Sequence, residues 1–271
     1  MPDPHEISRN TNSCAILERE DFEILVQAAN EYIAARSTLM SFMSSLGSKI
    51  EAGIDMLPEG TRATLLDAIR GALEHAHRIS TGYMDNEKGR EASTGLYSLI
   101  GAATGAASGF FGLAATAAEL PIATATIMRS IADIARSKGA DLDDVGVQAT
   151  CIEVFAYGGP LEDDDDADIA FVTSRLGATL GAAPISEMIT KVAGRYAIAI
   201  SPKILAQSVP ITGAVLGAAL NWTYMRFYQS IASVLFTLRP VELRYDKDQV
   251  RSCFASIVRE IEKEKFSRKK A

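Results

Sequence analysis

Glu119 is the residue whose type and position could most readily support chemistry. It stands between two uncharged segments, where a carboxylate is costly to bury unless it is paired or protonated. Further along, Arg129, Asp133 and Arg136 form a charged cluster, in which Arg129 and Asp133 have the i, i+4 spacing of a helical ion pair. These four residues are candidates for a polar site that binds a ligand headgroup or relays a proton. The alternative is an internal salt-bridge network that fixes the register of the helices.

Other polar residues give weaker signals for a binding or metal site. Gln207 and Asn221 flank or lie within an apolar run, where they could hydrogen-bond across to another helix or line a ligand pocket. His75 and His77 are two residues apart, so on a helix they point in different directions and make poor metal ligands. The acidic run 162–168 lacks the spaced ligands of a calcium loop and is typical of a solvated face. We therefore predict no metal and no cofactor, and we assign no catalytic residue.

Composition and cysteine content limit the class of protein. The chain has 271 residues, of which 48% are hydrophobic and 23% charged, as in a globular protein with a sizeable core. A net charge of −7 argues against nucleic acid as a partner. The sequence lacks the motifs of nucleotide-binding loops, zinc proteases and serine hydrolases, so an enzyme is the less favoured hypothesis. Cys14, Cys151 and Cys253 are odd in number and widely spaced, which predicts reduced thiols in a cytoplasmic protein.

Two long runs without any charged residue, 92–118 and 204–225, are the most informative features of the chain. A helix that is apolar all round must be buried in a protein core or in a bilayer, and both runs reach the length of about 20 residues that a bilayer requires. Their Ala, Gly, Ser and Thr residues insert weakly, however. The runs therefore indicate either the interior of a helical bundle or a hydrophobic hairpin that enters or lies against a membrane. Pro121 and Pro210 are expected to kink or divide the helices.

Glycines recur at intervals of four residues within these runs. Four residues are about one helical turn, so such glycines form a groove along which another helix backbone can approach closely. The spacing predicts a glycine zipper that packs the two runs together. Its members are Gly101, Gly105, Gly109, Gly213 and Gly217.

Apolar residues elsewhere repeat at steps of three and four, and alternating strand patterns are missing from the sequence. Phe22, Leu25, Val26, Ala29 and Ile33 show this repeat and are predicted to form one apolar stripe of a helix. We predict an all-α protein, a multi-helix bundle with Ala/Gly-rich central hydrophobic helices. Residues 1–20 are expected to form a mobile leader, and 21–81 an N-terminal amphipathic helical hairpin. Residues 90–250 would form the helical core, and 251–271 a C-terminal amphipathic helix with a basic tail.

Several collinear stretches resemble the EcsC protein family, named for the third product of the Ecs ABC-transporter operon. The similarity extends over roughly residues 50–245. The stretches that carry it are GFFGLAATAAELP (109–121), MRSIADIAR (128–136), CIEVFAYGG (151–159), AQSVP (206–210) with GAVLGAALN (213–221), and RPVELRY (239–245).

The resemblance implies a helical, hydrophobic protein linked through its operon to an ABC exporter, without an established biochemical activity. No catalytic residue can be transferred, because the family offers none. The chain also departs from the family where an acidic residue and a histidine are expected, since it has Arg226, Phe227, Tyr228 and Gln229 there. A metal or acid–base role is therefore not expected at that stretch.

Three hypotheses of function follow. The first is a non-enzymatic protein associated with a membrane, a lipid or an ABC-transporter component, in the cytoplasm and peripheral or integral at the cytoplasmic membrane. The second is a soluble helical protein that binds a lipid or another amphipathic ligand in its bundle. The third, and least favoured, is an enzyme that uses Glu119 with Arg129 and Asp133.

Overall fold

The computed structural model describes residues 14–45, 59–82, 87–111, 113–157, 184–206 and 213–270. Helices occupy most of these residues, and the described ranges contain no strand, which confirms the all-α prediction. A 3₁₀ turn, Val154–Ala156, follows the fifth helix. The helices are α1 (Arg19–Ser45), α2 (Glu59–Gly82), α3 (Thr94–Phe111), α4 (Leu113–Ser137), α5 (Val145–Glu153), α6 (Ile185–Ala206), α7 (Gly213–Arg244) and α8 (Lys247–Lys270).

Helix α7 is the element around which the others pack. It contacts α1, α3, α4, α6 and α8, and its longest contact is with α3. The side chain of Gln229 reaches the start of α3 at Thr94, whereas Gly217 lies against Gly105, so α3 and α7 run antiparallel. Buried side chains continue along α7, which explains why so much of its sequence is apolar. Both uncharged runs thus contribute residues to the α3–α7 pair.

The first uncharged run is shared between two helices, and the boundary between them does not lie at Pro121. Helix α3 ends at Phe111 and α4 begins at Leu113, and α4 then continues through Pro121 without a break. A proline removes only one helical N–H, and Leu120 and Ala123 on either side of it are buried, so their packing stabilises the helix through this position. Of the two effects predicted for Pro121, a kink or a division of the helix, division was therefore wrong, and Pro210 lies outside the described residues.

The N-terminal helices confirm the predicted apolar stripe, since Phe22, Leu25, Val26 and Ile33 of α1 are all buried. The two helices expected to form a hairpin pack mainly against different neighbours. Helix α1 lies against α7 and α8, whereas α2 lies against α4 and α6. Each stripe is therefore covered by the body of the bundle.

A disulfide bond joins Cys14 to Cys253 across 239 residues of sequence. Both residues are almost completely buried, so the turn before α1 is fastened to α8. The prediction that all three cysteines are reduced thiols was wrong for this pair, because helix packing brings together residues that sequence spacing keeps far apart. Cys151 is free and buried in α5. The turn that holds Cys14 is also packed, although it falls within the predicted leader.

Candidate functional site

Glu119 lies at the contact of three helices and is only 6% exposed. Its Oε1 atom accepts a hydrogen bond of 2.7 Å from Nδ2 of Asn221 on α7. Its Oε2 atom accepts one of 3.2 Å from Oγ of Ser108 on α3. The carboxyl group of Glu119 on α4 therefore accepts hydrogen bonds from the two helices that α4 packs against. Hydrogen bonds of this kind offset the cost of taking a carboxyl group out of water.

Asn221 couples this carboxyl group to the closest contact between α3 and α7. Its Nδ2 atom also donates a hydrogen bond of 2.8 Å to the carbonyl oxygen of Gly101. Gly105 lies one turn further along α3, and a Cβ atom built there would be 2.2 Å from the carbonyl oxygen of Gly217 and 2.6 Å from Nδ2 of Asn221. No side chain fits at this distance, so the approach of the two backbones depends on glycine at position 105.

A small cavity adjoins the Asn221 side chain. Its volume is about 20 Å³, which is room for about one water molecule. Tyr196, Tyr224 and Tyr228 line it together with Asn221. The hydroxyl group of Tyr224 donates a hydrogen bond of 2.6 Å to the carbonyl oxygen of Ala199, and burial raises the pKa of Tyr224. Burial also raises the pKa of Tyr196, so the Tyr196 and Tyr224 phenols are neutral at physiological pH. The cavity is far smaller than the few hundred Å³ of a typical ligand pocket.

The other predicted charged residues form a separate centre at the far end of α4. Arg136 pairs with Asp133, and Oδ2 of Asp133 accepts a hydrogen bond of 2.6 Å from the backbone N–H of Ser93. Asp133 is fourteen residues beyond Glu119 on the same helix, a separation of about 21 Å. The two acidic residues therefore do not share a cleft. Asp133 pairs with Arg136 rather than with Arg129 at the i, i+4 position, and Arg129 is half-buried.

The predicted residues thus fall into three groups. Glu119, Asn221, Gly101 and Gly105 come together, with the Gly217 backbone against Gly105. Asp133, which pairs with Arg136, accepts a hydrogen bond from the backbone of Ser93 in the segment before α3. Gln207 lies outside the described residues, as do the surroundings of Gly109 and Gly213.

Sequence reasoning missed a buried ion-pair network at the other end of the molecule. Arg251 of α8 donates hydrogen bonds of 2.6 Å and 3.2 Å to the two carboxylate oxygens of Glu153 on α5. Its Nε atom donates a third, of 2.8 Å, to Glu242 on α7. Two carboxylates around one guanidinium fix the relative positions of three helices. The sequence did contain a signal for burial of Arg251, since this residue lies among the regularly spaced apolar residues of an amphipathic helix.

Large apolar side chains are exposed on α3 and on the first half of α7. We refer to them as the α3–α7 apolar surface. On α3 the most exposed is Leu99, at 62%, and on α7 the single tryptophan of the chain, Trp222, is 45% exposed. Within the described ranges, every helix falls short of the combination of length and hydrophobicity that a membrane span requires. The surface comprises Leu96, Leu99, Ile100, Val215 and Trp222.

Comparison with known proteins places the chain in a family. The family model of the EcsC protein family matches residues 26–241, which is most of the chain. The chain belongs to the EcsC protein family. The match includes Glu119, Asn221 and the α3–α7 apolar surface, so these features lie within the EcsC part of the chain. No curated protein and no solved structure matches the chain.

Proposed function

We propose that this EcsC protein binds a membrane surface through its α3–α7 apolar surface and catalyses no reaction there. The observation that carries the proposal is the exposure of Leu96, Leu99 and Trp222 on neighbouring helices. Clustered exposed apolar side chains favour an interaction with a membrane or a protein. Tryptophan favours the boundary between lipid and water, where its ring is partly buried and its N–H stays near polar groups.

The geometry supports peripheral binding. The inner side of α3 is packed on α7 at Gly101 and Gly105, and its outer side carries Leu96 and Leu99. A helix of this kind can lie in the interface with one apolar side in lipid. The predicted glycine zipper would then keep α3 firmly on α7, so that the surface is presented as one unit. Insertion of α3 on its own would break the hydrogen bond that Asn221 donates to Gly101 and the one that Ser108 donates to Glu119.

The cellular setting is the cytoplasmic membrane, next to an ABC transporter or secretion component. This part of the proposal is supported by the link of the EcsC family to a transporter operon. The other two hypotheses have weaker support. A cavity of about 20 Å³ is too small for a lipid, and Glu119 is about 21 Å from Asp133 along α4.

Vesicle binding tests the proposal, with Trp222 as an intrinsic reporter because the chain has one tryptophan. We expect its fluorescence emission to shift to shorter wavelength as phospholipid vesicles are added, and brominated lipids to quench it. Leu99→Ser should weaken binding about tenfold, because an apolar side chain of this size contributes at least about 1.5 kcal/mol when it enters lipid.

Leu243→Ser is the matched control. Leu243 is 76% exposed on the same helix as Trp222, but about 31 Å further along it. This variant should bind vesicles as the parent protein does. Binding that is equally weakened in both variants, or an emission spectrum that vesicles leave unchanged, would refute the proposed membrane surface.

A further inference from the structure

We propose that the membrane partner is an anionic phospholipid surface and that Arg226 recognises its phosphate groups. This inference rests on the proposed function, because it assigns a lipid class to the same surface. The structural basis is the placement of a single exposed guanidinium beside exposed apolar side chains, on helices that carry no carboxylate nearby.

Arg226 lies on the exposed side of α7. It follows Trp222 by four residues and Val215 by eleven, so the three side chains lie along one stripe of the helix, and all three are exposed. Because α3 and α7 pack antiparallel, the residue of α3 that lies beside Met225 shows which part of α3 is closest to Arg226. A Cβ atom at Gly101 would contact the neighbouring Met225, so Arg226 lies level with the part of α3 that carries Leu99 and Ile100.

Within α3 and the first half of α7, Arg226 is the only charged residue. The neighbouring helix α1 contributes Glu31, which is half-buried and accepts a hydrogen bond from Ser233, two turns beyond Arg226. Helix α3 contains no charged residue, and α7 contains no acidic residue before Glu242. Arg90 and Glu91, just before α3, offset each other. Glu119 on α4 is the first acidic residue after α3 in the sequence, and its carboxyl group is buried and hydrogen-bonded to Asn221. An anionic membrane that approaches this surface therefore meets one cation and no exposed carboxylate from α3 or from this half of α7.

Chemistry favours phosphate as the group that Arg226 meets. A guanidinium presents several N–H donors in a planar fork that matches the oxygens of a phosphate group. The long arginine side chain can lay its methylene groups along apolar neighbours while its charged end stays at the headgroups. Trp222, one turn away, would occupy the same depth, at the boundary of the acyl chains. The protein as a whole carries a net charge of −7, so attraction to an anionic surface must come from a local feature of this kind.

The test compares two types of vesicle, phosphatidylcholine alone and phosphatidylcholine mixed with phosphatidylglycerol, with the full chain and Trp222 emission as the readout. We expect the parent protein to bind the anionic vesicles more tightly and to lose that preference in high salt. Arg226→Gln should weaken binding to anionic vesicles about fivefold, because one basic residue near such a surface contributes about 1 kcal/mol. Its binding to neutral vesicles should weaken less, because the phosphate of phosphatidylcholine is already paired with choline. Arg226→Lys, which keeps the charge but lacks the planar fork, should keep only part of the preference.

Arg259→Gln is the matched control. It removes the same charge from an exposed position on α8, whose main contacts are with α1 and α7. It should leave vesicle binding unchanged. An equal loss in both variants would show that the change in net charge, and not the position of Arg226, governs binding, and would overturn the inference. Equal binding of the parent protein to both vesicles would also overturn it while the proposed function stands. Failure to bind either vesicle would overturn the proposed function together with the inference.

Discussion

Replacement of Gly105 by alanine tests the closest contact in the molecule. The new methyl group would lie 2.2 Å from the carbonyl oxygen of Gly217 and 2.6 Å from Nδ2 of Asn221. Contacts below 3.0 Å are essentially never formed by real Cβ atoms, and the first of the two groups is backbone, which cannot rotate away. Helices α3 and α7 must therefore separate, and Asn221 must move from its position between Gly101 and Glu119.

The expected cost follows from the interactions that are lost. Extra volume in a tightly packed interior costs about 1 to 3 kcal/mol, and a lost hydrogen bond to a buried polar group costs a similar amount. Alanine regains about 1 kcal/mol through its higher helix propensity. We therefore expect Gly105→Ala to lower the free energy of unfolding by about 3 kcal/mol, a large share of the stability of an ordinary domain.

Gly194→Ala is the matched control, because nothing lies within 4 Å of the Cβ position of Gly194 in α6. This change should raise the free energy of unfolding by up to about 1 kcal/mol, since only the helix propensity differs. The pair of variants thus separates packing from propensity by the sign of the effect.

Urea unfolding followed by circular dichroism at the helix band measures both variants. Hydrogen exchange in α3 provides a local readout, since separation of α3 from α7 should increase exchange there before the rest of the molecule opens. If Gly105→Ala were within 1 kcal/mol of the parent protein, the close approach of the two helices would be refuted. The description of the Glu119 and Asn221 contacts that depends on it would then fail as well.

Three further predictions concern the other end of the molecule and the cysteines. Arg251→Met should lower the free energy of unfolding by about 3 to 5 kcal/mol, because buried carboxylates lose their counter-ion, and a double-mutant cycle with Glu153→Gln should recover part of that loss in urea unfolding. Reduction of the disulfide between Cys14 and Cys253 should lower the free energy of unfolding by up to about 5 kcal/mol in the same assay, since the bond closes a long loop. Labelling of three thiols in the denatured, unreduced chain would show that the bond is not formed. The thiol of Cys151 should resist alkylation at pH 8 in the native protein, because burial raises its pKa to about 12, and rapid labelling would contradict that burial.

Much of the fold could be predicted from local patterns. The apolar steps of three and four residues along Phe22, Leu25 and Ile33 predicted a buried helical stripe, and that stripe is buried. Such a pattern depends only on the geometry of one helix, so it can be recognised without knowledge of the neighbours. The resemblance to the EcsC family also rested on contiguous stretches of sequence, and the family match confirmed it.

The candidate site could be predicted only in part. The expectation that Glu119 needs partners followed from its apolar surroundings, but the sequence did not show that Asn221 and Ser108 are those partners. The i, i+4 spacing was misleading for Asp133, because its partner is Arg136, at the i, i+3 position of the same helix. Several residues at suitable spacing compete for one partner, and side-chain direction and burial decide among them.

The sequence by itself determined the helical class, the stripe of α1, the uncharged character of α3 and of the first part of α7 (213–225), and membership of the EcsC family. Tertiary structure alone decided which charges meet, as Arg251 and Glu153 do across 98 residues, and that Cys14 bonds to Cys253. It also decided that Leu99 faces solvent although it lies in an uncharged run. The physical reason is that helix periodicity is a local property of the chain, whereas pairing and exposure depend on how helices far apart in sequence come together.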